Sequence, residues 1–333
     1  MFCVLKNLLL GAPTGSYLRR GRAERCLALL LIILVTVSAA PEPKIRGLQA
    51  PAEQEPITPV PPPPAADPLK LALGERLFAD PRLSRDGSRA CISCHDIHTN
   101  GADGSRRDKA LDGSELPVNT STIFNAVLSF RLNWEGKFRT LEAHAEAALE
   151  SPQGLGTSVD AVLEKLNAEP QARRQFAAAY GHAPDRASLL DAIATYERSL
   201  VTPGSRFDRW LGGDAAALSA EELSGYQLFK SLGCISCHQG VNVGGNLFER
   251  HGIFHPLASP KPEVLRVPSL RNVATTPPFF HDGSAPTLNE AVREMAEAQL
   301  DQTLSDQQIE AIVAFLNTLT GTYRGAPVTA ASP

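Results

Sequence analysis

The feature that most constrains this chain is a five-residue run that occurs twice, Cys91-Ile92-Ser93-Cys94-His95 and Cys234-Ile235-Ser236-Cys237-His238. A C-x-x-C-H run attaches a c-type haem: its two thiols form thioethers with the macrocycle, and the adjoining imidazole becomes the proximal iron ligand. Two copies therefore imply two haem c groups, one held by Cys91, Cys94 and His95 and the other by Cys234, Cys237 and His238. A zinc site or a redox C-x-x-C is the plainer reading of a single pair. Neither needs a histidine directly after the second cysteine of both pairs.

The 333 residues are long enough for two domains of ordinary size, one per motif. Residues 1–40 read as an export signal: Arg19, Arg20, Arg22 and Arg25 precede an apolar run of about twelve residues that ends in Ser38-Ala39-Ala40. The run is short for a membrane span, with an uncleaved anchor as the alternative. Export places the protein in the periplasm. Cleavage removes Cys3 and Cys26, so each remaining cysteine belongs to a haem motif and no structural disulfide is expected. It also removes five basic residues and one acid, so 27 basic groups face 35 acidic ones, a net charge of about −8. That balance argues against nucleic acid and suits a basic partner such as a small cytochrome, although solubility alone would also account for it.

Residues 41–66 are proline-rich, with Pro61 to Pro64 continuous, and read as an extended linker without a core. Beyond it the fold class is mainly α, as two cytochrome c-like domains over 67–205 and 206–325. Gly74-Glu-Arg-Leu77-Phe78 recurs as Gly225-Tyr-Gln-Leu228-Phe229 ahead of the second motif, which points to duplication. Helical spacing is evident over 158–167, 171–180 and 186–200. Ser219 with Glu222, Thr287 with Glu290 and Ser305 with Gln308 form capping boxes. The stretches 96–122 and 239–286 read as long loops.

Taken together, the two motifs, Phe124-Asn125-Ala126, Trp134-Glu-Gly136, Val243-Gly244-Gly245 and Pro268-Ser-Leu-Arg-Asn272 running to His281-Asp-Gly283 resemble the bacterial dihaem cytochrome c peroxidases and their MauG-like relatives over roughly 68–320. The resemblance implies a high-potential C-terminal haem where electrons enter and an N-terminal haem where hydrogen peroxide is reduced to water. It places Met295 as the sixth ligand of the C-terminal iron, where the MauG branch has tyrosine. Trp134 matches a tryptophan between the haems, and His281 a histidine near the propionates. One calcium ion is implied at Asn119, Thr276 and Pro278, as oxygen ligands suit a hard cation.

Two departures from the family stand out. Residues 103–122 hold no histidine to block the first iron, and His98 lies too close to His95 to serve, so that iron is expected to be open. The family's acid-base glutamate falls at Gly154 and its glutamine at His144. The substitutes on that helix are His144, whose imidazole titrates near neutrality, and Glu150 or Glu146. Trp210 reads as core, and His182, His251 and His255 as surface residues. The expected function is a periplasmic peroxidase drawing electrons from a small cytochrome c or cupredoxin, and the resemblance adds a homodimer as its assembly. The alternatives are a MauG-like enzyme that modifies a protein, disfavoured by Met295, and a non-enzymatic dihaem electron carrier.

Overall fold

In the computed structural model, residues 55–257 and 262–331 are described; the expected signal segment 1–40 and the linker before residue 55 lie outside them. Nine α-helices are present among these residues: α1 (Pro68–Phe78), α2 (Leu141–Glu150), α3 (Val159–Ala168), α4 (Pro170–Tyr180), α5 (Arg186–Ser199), α6 (Arg206–Leu211), α7 (Ala220–Ser231), α8 (Leu288–Leu300) and α9 (Asp306–Asn317). Strands are short: β1 (Phe248–Arg250) pairs antiparallel with β2 (Val264–Arg266), and β3 (Thr322–Tyr323) with β4 (Ala326–Pro327). The expected capping boxes all form, with Ser219, Thr287 and Ser305 each accepting from the amide of the residue three positions on. Asp67 caps α1, with Pro68 at the first helical position, where a missing amide costs nothing.

The repeated glycine has a packing reason. α1 lies against α5 and α7 against α9. A Cβ at Gly74 would sit 2.0 Å from the Ala192 carbonyl oxygen, and one at Gly225 would sit 1.8 Å from that of Ala311. Only glycine allows the two backbones this close. The repeated approach fixes where each C-x-x-C-H turn, which follows α1 or α7, enters its half.

The duplication continues well beyond the motifs. Asn125 and Asn272 both take left-handed backbone (φ 61° and 60°) before short 3-10 turns. Each chain then bends through Trp134-Glu-Gly136 or His281-Asp-Gly283, closed by the bridges Leu132 to Phe138 and Phe279 to Ala285. Each enters a helix capped by threonine, Thr140 for α2 and Thr287 for α8. In this register Trp134 corresponds to His281, His144 to Ala291, and Ala148 to Met295.

The core departs from the expected boundaries at both ends. Ile57 is fully buried in the cluster formed by Phe207, Tyr226 and Phe315. Glu55 accepts from Tyr226 Oη at 2.5 Å and pairs with Lys230 Nζ at 3.2 Å. The Thr58 carbonyl accepts from Arg271. The later part of the linker is therefore a strap on the C-terminal half, because Ile57 and Val60 supply apolar anchors between the prolines. At the other end, Val328 is buried with Phe78, Tyr196 and Leu200 of the N-terminal half. Tyr323 stands 5.0 Å from Phe124, ring to ring.

Gly225→Ala is expected to lower stability by about 1–3 kcal/mol through overpacking, although alanine is the better helix former by about 1 kcal/mol. Denaturant unfolding of the purified protein measures this, and an unchanged or raised midpoint would remove the close-approach account.

Candidate functional site

Both haem motifs open onto one cavity of about 480 Å³, lined by Cys91, Cys94 and His95 on one side and by Cys234 and His238 on the other. Each motif begins in a 3-10 turn, Cys91–Ser93 and Cys234–Ser236, that carries the histidine to the end of the turn. His95 Nδ1 donates to the Gly101 carbonyl at 3.2 Å, and His238 Nδ1 donates to that of Val243 at the same distance. A backbone carbonyl on Nδ1 fixes the ring and leaves Nε2 as the ligating nitrogen. Burial holds both imidazoles below their ordinary pKa, His238 at about 4. They are neutral at pH 7, as metal ligands must be.

The thiols fit thioether chemistry and not thiol exchange. Burial pushes Cys91 and Cys94 up to about 12, Asp108 and Asp103 adding to the shift at Cys94, and pushes Cys234 to about 11. Reactive C-x-x-C thiolates are found well below the ordinary value. Phe78, Phe124, Leu149, Phe229, Leu270 and Leu316 give the cavity the apolar wall that a macrocycle needs.

The sequence-nominated residues separate cleanly. His144 and Met295 line the cavity, with Trp134, Asn119, Thr276 and Pro278. Burial presses His144 down to about 4, with His95 and Arg266 adding to the shift. Trp134 Nε1 donates to the Asn119 carbonyl at 2.8 Å, and its ring meets that of His281 edge-on at 6.3 Å. The Asn119 amide in turn donates to the His281 carbonyl at 2.7 Å, so these three residues tie the two halves together. His281 is buried and its Nε2 has no hydrogen-bond partner.

Glu150 does not belong to the cavity wall. It is exposed at the end of α2, and Glu146 is bound to Arg186 at 2.6 Å. His251 is also not a free surface residue: its ring nitrogens lie 2.7 Å from the Leu257 carbonyl and 2.8 Å from that of Pro262, and it packs 4.4 Å from His281. His98, His182 and His255 are exposed, as expected. Trp210 stacks on Phe207 beside the C-terminal core.

One residue escaped the sequence reading. Glu197 of α5 lines the cavity, is buried, and leaves Oε2 without a partner. The signal was its place on the apolar stripe, one turn after Ile193 and two after Leu190, where a leucine would be ordinary.

Comparison with known proteins agrees with this geometry. The family described as di-haem cytochrome c peroxidase matches residues 68–216, and the cytochrome c family matches 223–320. The chain is 36% identical to a cytochrome c551 peroxidase of Nitrosomonas europaea, over 81% of this chain and 85% of that protein. It is 37% identical to the cytochrome c peroxidase Ccp of Escherichia coli, over 81% of this chain but only 62% of that longer protein, less than two thirds of its length. The crystal structure of a MauG-like protein associated with microbial copper homeostasis superposes with a TM-score of 0.67 at 27% identity, covering 79% of this chain and 93% of the other.

Gly244 tests the cradle around the second histidine. Its φ is 133°, and a Cβ there would lie 2.1 Å from the Pro268 carbonyl oxygen and 3.3 Å from His238 Nδ1. Gly244→Ala should displace His238 and, with the thioethers still holding the haem, change the absorption spectrum and lower the thermal stability of the second site; a spectrum identical to that of the wild type would separate the cradle from iron ligation.

Proposed function

This chain belongs to the dihaem cytochrome c peroxidase family, and on that premise we propose that it is an exported enzyme reducing hydrogen peroxide to water with electrons from a small cytochrome c or cupredoxin. The observation that carries the reading is an inequality inside the duplicated frame. Where the C-terminal half places Met295 on the cavity wall, the N-terminal half has Ala148 at the matching position, also on the wall. Each bound haem would supply a redox-active iron. His238 and Met295 would hold one from both sides, an arrangement that raises the potential and favours electron exchange, and His95 would hold the other from one side only. A site with one open position can take peroxide.

The chain's own residues then have distinct tasks. His144, half-buried and neutral at pH 7, would accept a proton from peroxide beside the His95 site. Trp134 spans the junction between the halves. His281 Nε2 is free to donate to a propionate. Asn119 gives its side-chain N–H groups to the carbonyls of Ser105 at 3.0 Å and Arg106 at 3.3 Å, which leaves Oδ1 for a calcium ion shared with Thr276 and Pro278. The apolar run at 26–37 supports export; among the described residues no helix is long and apolar enough to cross a membrane.

A MauG-like role in protein oxidation has one observation in its favour, Gly154 at the position of the family glutamate. Met295 opposes it.

The protein loaded with both haems, mixed with peroxide and a reduced small cytochrome, should oxidise two cytochromes per peroxide. His144→Ala should cut kcat/KM for peroxide by about 10²-fold or more. Because the neutral imidazole is the competent base and burial sets its pKa at about 4, the wild-type profile should stay flat from pH 7 downward and fall only as His144 protonates near that value. Met295→His should slow reduction by the donor and spare the first reaction with peroxide. A donor left untouched, or a bis-histidine spectrum in the oxidised wild type that His144→Ala abolishes, would overturn the peroxidase assignment or make His144 a ligand in place of a base.

A further inference from the structure

We propose that Glu197 is the proton donor of the peroxide-reducing half, delivering its proton through cavity water to the oxygen that leaves. The inference rests on the peroxidase reading and supplies the acid that reading lacks. Cleaving an O–O bond needs one group to accept a proton and another to give one, and the usual position for that acid holds no side chain here. Nor does it have room for one: a Cβ at Gly154 would lie 2.6 Å from the Ala148 carbonyl oxygen.

Elimination leaves a single candidate. Glu150 faces solvent and Glu146 is held by Arg186. Among the described residues that line the cavity, Glu197 is the one carboxylic acid. It is 7% exposed, and its Oε2 is buried with no hydrogen-bond partner. Burying an unsatisfied carboxyl is unfavourable, and the apolar stripe of α5 would accept leucine at no such cost. A carboxyl kept in that state on the wall of a reaction cavity is better explained by a task there than by packing.

The surroundings suit a donor. α2 and α5 run antiparallel, since Glu142 pairs with Arg198 and Glu146 with Arg186. His144 and Glu197 thus reach the cavity from two packed helices. The groups facing Glu197 are Glu142, Arg198 and the sulfur of Cys91. Burial, reinforced by Glu142 and only partly offset by Arg198, pushes Glu197 up to about 8, so that it carries a proton at neutral pH. Burial drives His144 the opposite way, to about 4. Two titratable groups pushed apart in this manner form an acid and base pair. The Arg198 and Glu142 side chains are 35% and 32% exposed, which gives Glu197 a polar connection to solvent for reloading.

His144 takes the proton of one peroxide oxygen while the O–O bond breaks. The other oxygen leaves with the bonding pair, receives the Glu197 proton and departs as water. The oxygen left behind becomes the second water with two electrons from the reduced cytochrome donor, the proton held on His144 and one proton from solvent. A second solvent proton restores Glu197.

Infrared difference spectroscopy and turnover on the haem-loaded protein test this together. The oxidised wild type should show the carbonyl band of a protonated carboxylic acid that shifts in D2O and disappears in Glu197→Gln, a near-isosteric change. Peroxide turnover in Glu197→Gln should fall by about 10²-fold and recover in part in Glu197→Asp, with reduction of the second haem by the donor unchanged. Wild-type turnover in Glu197→Gln overturns the inference and leaves the peroxidase reading intact. Equal loss in both variants, with no such band in the wild type, marks a packing role and also overturns it. A wild type that consumes no peroxide overturns the peroxidase reading and the inference with it.

Discussion

The backbone contact between α1 and α5, repeated between α7 and α9, is the constraint from which the remaining geometry follows. With Gly74 seated on the Ala192 carbonyl and Gly225 on that of Ala311, neither helix pair can slide or rotate without meeting main-chain atoms. Main-chain collisions are not relieved by a rotamer change. The helix that leads into each haem motif is thereby locked to the helix that closes its half. On α5 the same lock sets the level of Ile193 and Glu197 against the cavity.

Upon this duplicated frame the contents are unequal, and the inequality is where function resides. The two halves meet through a buried network: Thr202 Oγ1 takes hydrogen bonds from Asn125 Nδ2 at 2.7 Å and Asn272 Nδ2 at 2.9 Å, and Asn125 Oδ1 accepts from the Thr202 amide at 2.8 Å. The two asparagines are equivalent positions of the repeat, each left-handed, each satisfied by the same threonine. Around this nearly symmetric joint sit pairs that are chemically different: Trp134 against His281, His144 against Ala291, Ala148 against Met295. Symmetry serves alignment of two cofactor sites, and the departures from it assign their work.

What could be read from the sequence was local chemistry and helical phase. The capping boxes and the helices over 158–167, 171–180 and 186–200 depend on neighbours within a few positions, and each formed where expected. Glu150 was misplaced for a simple reason: six residues at roughly 100° per residue carry it about 240° around α2 from His144, towards solvent. Glu197 was passed over because its apolar stripe looked like core. The strap at 55–60 was hidden by composition, as a proline-rich stretch has no periodicity to reveal that Ile57 points inward. His251 was hidden because its partners are carbonyls in the same irregular loop, which no pattern encodes.

The exchange of chain ends bears on how the two cofactor sites are held together. The strap that contains Ile57 completes the core of the C-terminal half, and the tail that contains Val328 completes that of the N-terminal half. Each half is therefore unfinished without a segment from the other end of the sequence. The strap also reaches the second site directly: Pro56 accepts from the Gly240 amide at 2.8 Å, two residues after His238. Thr58 and Val241 both accept from Arg271, which is fully buried and paired with Asp208 at 2.8 Å. A buried arginine that lost these carbonyls would be left with unmet donors, so release of the strap and disorder of the loop after His238 are coupled. Electron exchange between two sites depends steeply on their separation, and a strap at one end with a tail at the other makes that separation a property of the whole folded unit, not of one hinge.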